Sequence, residues 1–380
     1  MSLKNITIEF LENSDLMTMV NKIKQLIVKN GYFDVIFSLV PNLVNINIQL
    51  FSFEFKIIDL ICLFLFLGAT GKSAQIGLHA WLPDAMAGPT PVSALIHAAT
   101  MVTAGIFMIT RLNFLFDLTP DVQNIIAIVG AITALVAATI GLVQNDIKKV
   151  LAYSTVSQLG LMFLALGLGA YEVAVFHVIT HAFFKACLFL GSGSVIHALH
   201  GEQDMRKMGG LKKAMPITFI TMLISSLAIS GVPVFSGFFS KDEILLVAFE
   251  HNITLWVIAS VASIMTAFYM FRLLFLTFFQ EFRGTEDQKH HLHESPALIT
   301  FPLIVLAILA TIGGLISLPG HSWLNEYLIP ILPKLANEAH HLGTTEYILM
   351  GIAVIGGLIG ISIAYTKYIK QNVLPNEDAE

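Results

Sequence analysis

The chain has 380 residues, 56% of them hydrophobic and 12% charged, with a mean hydropathy of +0.77. A soluble domain carries roughly 25% charged residues, so this balance excludes a water-soluble enzyme, and 21 basic against 26 acidic residues leave no basic excess for nucleic acid. The two cysteines, Cys62 and Cys187, both lie inside apolar runs, so neither a disulfide framework nor a Cys-based metal site is expected.

In chain order, residues 1–55 come first, polar and rich in Asn and Lys, with apolar patches too short to span. They read as a non-membrane lead segment, and their start (MSLKNITIEFLENSD) lacks the basic-then-apolar pattern of a cleaved signal. Apolar runs of about 20 residues follow, the length that crosses a hydrocarbon layer of about 30 Å. They fall at roughly 56–82, 91–111, 122–143, 149–168, 172–199, 215–249, 253–279, 297–318 and 345–367. Backbone groups in lipid must be satisfied within the segment, so these runs predict helices; the alternating ten-residue strands of a membrane β-barrel are absent. The expected fold is an all-α polytopic membrane helix bundle of about nine crossings.

The run 215–249 is too long and too punctuated for one plain helix, with Gly231, Pro233 and Gly237 in its middle. If it crosses once, then Lys148 and Lys149, the cluster Arg206, Lys207, Lys212 and Lys213, then Arg283 and Lys289, and finally Lys367 and Lys370 share one side. The other side keeps little beyond Arg111 and Lys334. The positive-inside bias therefore predicts one broken helix, with the basic side cytoplasmic. A second Gly-interrupted run, GATGKSAQIG around Lys72, parallels SGVPVFSGFFSKDE around Lys241. Paired interrupted helices are what inverted-repeat transporters show near their ion sites.

The informative feature is where ionisable groups sit. Lys72, His97, His177, His181, Lys185 and Lys241 all fall inside predicted crossings, where each charge costs about 2.5–3.5 kcal/mol on insertion scales. His177, His181 and Lys185 stand at i, i+4 and i+8, on one helix face over about 12 Å of axis. Groups with ordinary pKa values of about 6.5 and 10.4, stacked this way, suit stepwise proton transfer through side chains and bridging water. The plainer structural reading has the imidazoles bonding to each other or to backbone carbonyls, and the lysine paired with a buried carboxylate. Three such groups in one mid-membrane column favour the proton route.

Lys241 and Asp242 follow directly on the break at 231–237, where a half-helix dipole and freed carbonyls can hold a cation or hydrated proton. SKDE also reads as a helix start with Ser240 as N-cap and Glu243 at its third position. Lys72 is expected to face the interior, and His97 lies on the second crossing. Asp146, Lys148 and Lys149 sit at a crossing boundary, either as a solvated loop with a topology signal or as a link between proton sites. The KHHLHE knot, Lys289 to Glu294, has metal-ligand types but reads as a solvated loop, as do His340 and His341. No metal or nucleotide site is assigned; GLGAYE and GSGS lack the strand–turn–helix context a nucleotide needs. With no haem-ligand pair or iron–sulfur cluster motif, no redox chemistry is expected in the chain itself.

Several long strings resemble the chain L type antiporter-like subunit of respiratory complex I: GKSAQIGLHAWLPDAMAGPTPVSALIHAATMVTAGIFMITR (Gly71 to Arg111), QNDIKKVLAYSTVSQLGLMFLALG (Gln144 to Gly167), FHVITHAFFKACLFLGSGSVIHALHGEQDMRKMGGL (Phe176 to Leu211) and GFFSKDEIL (Gly237 to Leu245). Related subunits of Mrp sodium/proton antiporters and membrane-bound hydrogenases share much of the pattern. The resemblance implies a proton-translocating subunit of an NADH–quinone oxidoreductase in the cell inner (plasma) membrane. NADH, FMN, iron–sulfur clusters and quinone would lie on partner subunits. The implied partners are other membrane subunits, especially a neighbouring antiporter-like one, and the lipid bilayer.

It further implies that Lys72 is the central lysine of a first half-channel, His97 a connecting histidine and Lys148 an inter-channel lysine. His177, His181 and Lys185 become the relay of a second half-channel, and Lys241 with Asp242 its terminal pair. On this reading 56–111 is the remainder of the first half-channel, 112–279 the second with its broken helix 215–249, and 280–380 the peripheral helices, His-containing loop and tail. Family members are longer, with helices before the region matching residue 56 and a lateral helix after the last core crossings. The alternatives are an Mrp-type antiporter or hydrogenase subunit, or a non-pumping scaffold fragment.

Overall fold

A computed structural model describes residues 46–50, 53–318, 321–332 and 343–374. The chain divides into two compact units, Met1–Leu65 with Phe114–Val122, and Phe66–Asn113 with Gln123–Glu380. The described part of the first unit opens with an antiparallel hairpin, β1 (Asn47–Leu50) and β2 (Phe53–Lys56). Across it Asn47 Nδ2 donates to Glu54 Oε1 at 2.9 Å. The all-α expectation thus gains one short hairpin. The rest of the predicted lead segment, like Lys334, His340 and His341, lies outside the described residues.

Helix α1 (Ile57–Lys72) follows and ends in a turn through Ala74 (φ 50°) and Gly77 (φ 90°). The interruption expected beside Lys72 is therefore present. A short helical turn at Trp81–Asp84 and a 3-10 turn at Ala85–Ala87 lead to α2 (Thr90–Ala98) and α3 (Ala104–Arg111). The single crossing expected over 91–111 is thus two helices, with an unforeseen break at 99–103. Then come α4 (Pro120–Val143), α5 (Ile147–Gly167), α6 (Tyr171–Ala198), α7 (Pro216–Ile229), α8 (Ser236–His251), α9 (Ile253–Phe278), α10 (Ala297–Ile312) and α11 (Thr344–Tyr365). A two-residue ladder, β3 (Ser317–Leu318) with β4 (His321–Ser322), lies between α10 and α11.

Among the described residues six helices are long and apolar enough to cross a membrane: α4, α5, α6, α9, α10 extended to Ile316, and α11 extended to Lys370. The other three predicted crossings are the interrupted ones. Two of the long helices start on side-chain caps. Asp146 caps α5 by accepting from the Lys148 and Lys149 amides at 2.8 and 3.2 Å, and Asn252 caps α9 through the Thr254 amide at 2.8 Å. Ser240 is a correction: α8 begins at Ser236 with Phe235 at its N-cap position, so Ser240 lies one turn inside.

Helix α5 is the centre of the second unit, buried along almost its whole length, with the polar side chains of Lys148, Ser154, Thr155, Ser157 and Gln158 buried among its apolar ones. It meets α4 through small residues. A Cβ on Gly160 would lie 2.5 Å from the Ala134 amide nitrogen, and one on Gly130 2.5 Å from that of Leu164. Backbones approach this closely only where side chains are absent.

Helices α7 and α8 together cross once. The stretch before α7 bonds to the end of α9, Gly210 N donating to Phe279 O at 2.9 Å and Lys212 N to Phe278 O at 3.2 Å. Both ends of the 213–278 segment therefore lie on one side, as the basic residues predict. The break between α7 and α8 uses Gly231 (φ 75°) and Val234 (φ 81°). Gly237 lets the second half-helix touch the first, since a Cβ there would run into the Ala228 carbonyl oxygen. Gly237→Val should therefore force the half-helices apart and lose about 1–3 kcal/mol or more, while Gly68→Val, with open space around it, should be tolerated. Thermal melts of the two variants in detergent check this; equal melting contradicts it.

Candidate functional site

Helix α6 carries the column. His177, His181 and Lys185 are 1%, 0% and 0% exposed, so the helix turns all three inward, as the i, i+4, i+8 spacing requires. The flanking helices then supply partners. His177 lies between α8 and α5: Nδ1 is 2.9 Å from Ser240 Oγ and Nε2 3.1 Å from Gln158 Oε1. The amide oxygen accepts, so Nε2 carries a proton and Nδ1 accepts from the Ser240 hydroxyl. Ser240 is also 2.8 Å from Thr180 Oγ1.

One turn on, His181 Nδ1 donates to the Ala98 carbonyl at 3.2 Å, a bond that fixes its tautomer and leaves the buried Nε2 lone pair without a hydrogen-bond partner. The two imidazole centroids are 6.3 Å apart, and Phe184 meets His181 edge-on at 5.4 Å. Lys185 Nζ donates to Leu151 O at 3.1 Å. The four ion pairs among the described residues, at 202–207 and 286–291, all lie away from it. Among the described residues Lys185 meets no carboxylate in an ion pair; its described partner is a neutral carbonyl.

The other lysines follow the same pattern. Lys148, 3% exposed, reaches the connection after the 3-10 turn and donates to Met86 O and, at 2.9 Å, to Gly88 O. Lys241, 2% exposed, turns back to the Ile229 carbonyl at the end of α7, 3.4 Å away. Beside it Asp242 is 7% exposed, with Oδ2 lacking a hydrogen-bond partner. A cavity of about 40 Å³ adjoins the pair, lined also by Ser230, Ser260 and Ser263. Its walls are mostly apolar, but the three serines and the Lys241–Asp242 pair offer polar partners, and its size suits a few waters. His97 is fully buried, stacked on Phe189 at 5.3 Å, with neither ring nitrogen hydrogen-bonded; it lies within electrostatic reach of both Lys185 and Lys148.

Lys72 departs from expectation: it is exposed on the surface of the chain at the end of α1. The Asp146, Lys148, Lys149 boundary divides its duties, Asp146 capping α5, Lys148 buried, and Lys149 exposed. On the basic side, burial alone would raise the Asp204 carboxyl, but the bonds from the Arg206 guanidinium and amide hold it below the usual carboxylate range.

Two buried polar groups were missed. Gln158, 0% exposed, orients His177; a search for amides inside apolar runs, beside charged groups, finds it. Arg272, 2% exposed, bonds to Gln144 O, to Asn145 Oδ1 at 2.7 Å and to Tyr368 Oη at 3.2 Å. It ties α9 to the α4–α5 turn, and its place in FRLLFLTF would have flagged it by the same rule as the lysines.

This geometry meets a known family. Residues 30–266 match the family described as NADH:quinone oxidoreductase/Mrp antiporter, TM, and the chain belongs to it. It is 51% identical over 346 residues to NAD(P)H-quinone oxidoreductase chain 5 of Picosynechococcus sp., covering 83% of this chain and 52% of that one. It is 44% identical over 376 residues to NADH-quinone oxidoreductase subunit L of Neisseria meningitidis serogroup A, covering 91% and 56%. The chain thus spans about half the length of the curated relatives it matches. A solved structure of the Mrp complex from Dietzia sp. superposes with a TM-score of 0.68 at 28% identity, over 84% of this chain and 36% of that one.

The hydrogen bonds specify tautomers that can be measured. In the uncharged rings, ¹⁵N-histidine NMR in bilayers should find the proton on Nδ1 of His181 and on Nε2 of His177. Gln158→Leu should move only the His177 resonances. A proton on Nε2 of uncharged His181 contradicts the geometry.

Proposed function

We propose that this chain is a proton-translocating membrane subunit of an NADH–quinone oxidoreductase, moving protons through a Lys/His relay coupled to quinone reduction elsewhere in the complex. The observation that carries the reading is the buried column on α6, whose lysine meets a carbonyl and no carboxylate among the described residues. A charge held that way is sensitive to every other charge nearby, because the surrounding dielectric is low. Identities of about half the residues to the two oxidoreductase chains support the same assignment.

In the proposed mechanism Lys185 exchanges a proton with His181, whose free Nε2 accepts it, and His177 continues the route through Ser240 to Lys241 and Asp242. Water in the cavity beside that pair would complete the transfer. Protonation at Lys185 and at Lys241 are coupled, each disfavouring the other. Lys148 and His97 would link this route to Lys72, the central lysine of a first half-channel over 56–111. The exposed Lys72 side chain would meet a surface packed against that face. The second half-channel is assigned to 112–279, and 280–380 to the periphery. NADH, FMN, iron–sulfur clusters and quinone would be held by partner subunits in a cell inner membrane, with a second antiporter-like subunit alongside.

The likeness to the Mrp complex favours one rival, a subunit of a sodium/proton antiporter. In vesicles holding the intact complex, Lys185→Ala or Lys241→Ala should lower the protons moved per NADH severalfold, with electron transfer less affected. Unchanged proton yield counts against the proposal. Sodium-dependent pH changes that persist without NADH or quinone would select the antiporter.

A further inference from the structure

The KHHLHE loop is exposed, as the sequence suggests, but it is not alone in solvent. It packs against the end of α6, where His197 lies in the last helical turn and His200 just beyond it. The rings of His200 and His291 have centroids 5.2 Å apart, and those of His197 and His293 6.3 Å apart. Four imidazoles from two distant parts of the sequence therefore face one another in two adjacent pairs.

The tautomers are set from behind. His291 Nδ1 donates to the Asp287 carbonyl at 2.8 Å, with Asp287 Oδ1 3.6 Å away, and His293 Nδ1 donates to His291 O at 2.7 Å. The His291 and His293 rings then present their Nε2 lone pairs, and a carbonyl or carboxylate behind a histidine is the usual support of a metal-binding imidazole. The backbone also contributes. His200 has φ 55°, a left-handed conformation uncommon outside glycine, and Gln288 Nε2 bonds to Leu199 O at 2.9 Å, holding the loop against the helix end. The nearby cations are committed elsewhere, Lys289 to Glu286 at 3.4 Å and Lys207 to Glu202 at 3.3 Å.

Distance selects the ligand class. Two imidazoles on one tetrahedral zinc, with nitrogens about 2.0–2.1 Å from the metal, have centroids about 5 Å apart. The His200–His291 pair already fits, and the His197–His293 pair is wider by about 1 Å, within the reach of exposed side chains. Imidazole suits zinc, copper or nickel and does not suit magnesium or calcium. No three His, Cys, Asp or Glu side chains converge on one point among the described residues, so each pair supplies two ligands and water the remainder.

We propose that the histidine pairs His200–His291 and His197–His293 each bind one transition-metal dication of the zinc class and clamp residues 285–294 to the end of α6. The clamp reaches further through Glu294. Its Oε2 accepts from the Ile217 and Thr218 amides at 2.8 and 3.2 Å, and its Oε1 from Thr218 Oγ1 at 2.6 Å, which in turn is 3.0 Å from Ser194 Oγ. A metal here would fasten the start of α7 and the end of the helix that bears Lys185 to one loop.

The test uses the full chain extracted in mild detergent with whatever subunits accompany it. After EDTA treatment it is titrated with zinc chloride against a chromophoric chelator. The expected result is binding at two sites, one of which His200→Gln with His291→Gln weakens at least about tenfold and Asp287→Asn severalfold. His251→Gln, on the opposite side, should change nothing, and magnesium should not compete. A double variant that binds zinc as tightly as the parent, or competition by magnesium, overturns the proposal. If the double variant melts early without zinc, the parent chain decides: zinc must slow hydrogen exchange at 196–201 and 286–294 above all other segments. Uniform or absent slowing overturns it.

Discussion

The constraint on which the rest depends is the burial of lysines that no carboxylate meets in a hydrogen bond or ion pair among the described residues. Lys148, Lys185 and Lys241 are between 0% and 3% exposed, and their described hydrogen-bond partners are backbone carbonyls. An isolated charge in an apolar interior is expensive. Such sites persist only if the group can shed its proton, meet water or gain a partner, and each of those options is a response to what happens nearby. A buried lysine bonded to a buried carboxylate would be held in one charge state; among the described residues Lys148 and Lys185 meet only carbonyls, and Lys241 has Asp242 beside it without a bond between them.

The broken helices supply the acceptors for Lys148 and Lys241, whereas Lys185 bonds to Leu151 O inside the continuous helix α5. An intact helix spends its carbonyls on its own amides, whereas a helix end leaves them free. Lys241 uses Ile229 O at the α7–α8 break, Lys148 uses Met86 O and Gly88 O around a 3-10 turn, and His181 uses Ala98 O at the α2–α3 break. Three interruptions thus supply acceptors for three buried side chains. Gly237 and the left-handed turn at Gly231 and Val234 are the local sequence that holds one of them open. A residue that healed a break would also remove an acceptor.

Much of this was legible in the letters. The apolar runs marked the continuous helices, and the 3.6 period placed His177, His181 and Lys185 on one face. Gly231, Pro233 and Gly237 announced the break at 231–237. The break at 99–103 was not legible, because AATMVTAG offers no proline and a single glycine; packing of α2 against α6 decides it, not local propensity. Ser240 was misread as a cap because a serine before acidic residues looks the same whether a helix starts there or one turn earlier. The exposure of Lys72 depends on what covers α1, which no local pattern encodes. The His200–His291 contact joins residues 91 positions apart, beyond the reach of spacing rules.

The central claim is that this line of groups is wet and exchanges protons. The most direct measurement is water-edited NMR on the chain in bilayers with ¹⁵N-labelled lysine and histidine, recording magnetisation transfer from water to each side chain. The account predicts rapid transfer to Lys185 Nζ, Lys241 Nζ and the His181 ring, although all three are shielded from bulk solvent. Side chains as dry as the surrounding leucines, with no transfer to Lys185 or Lys241, would contradict it.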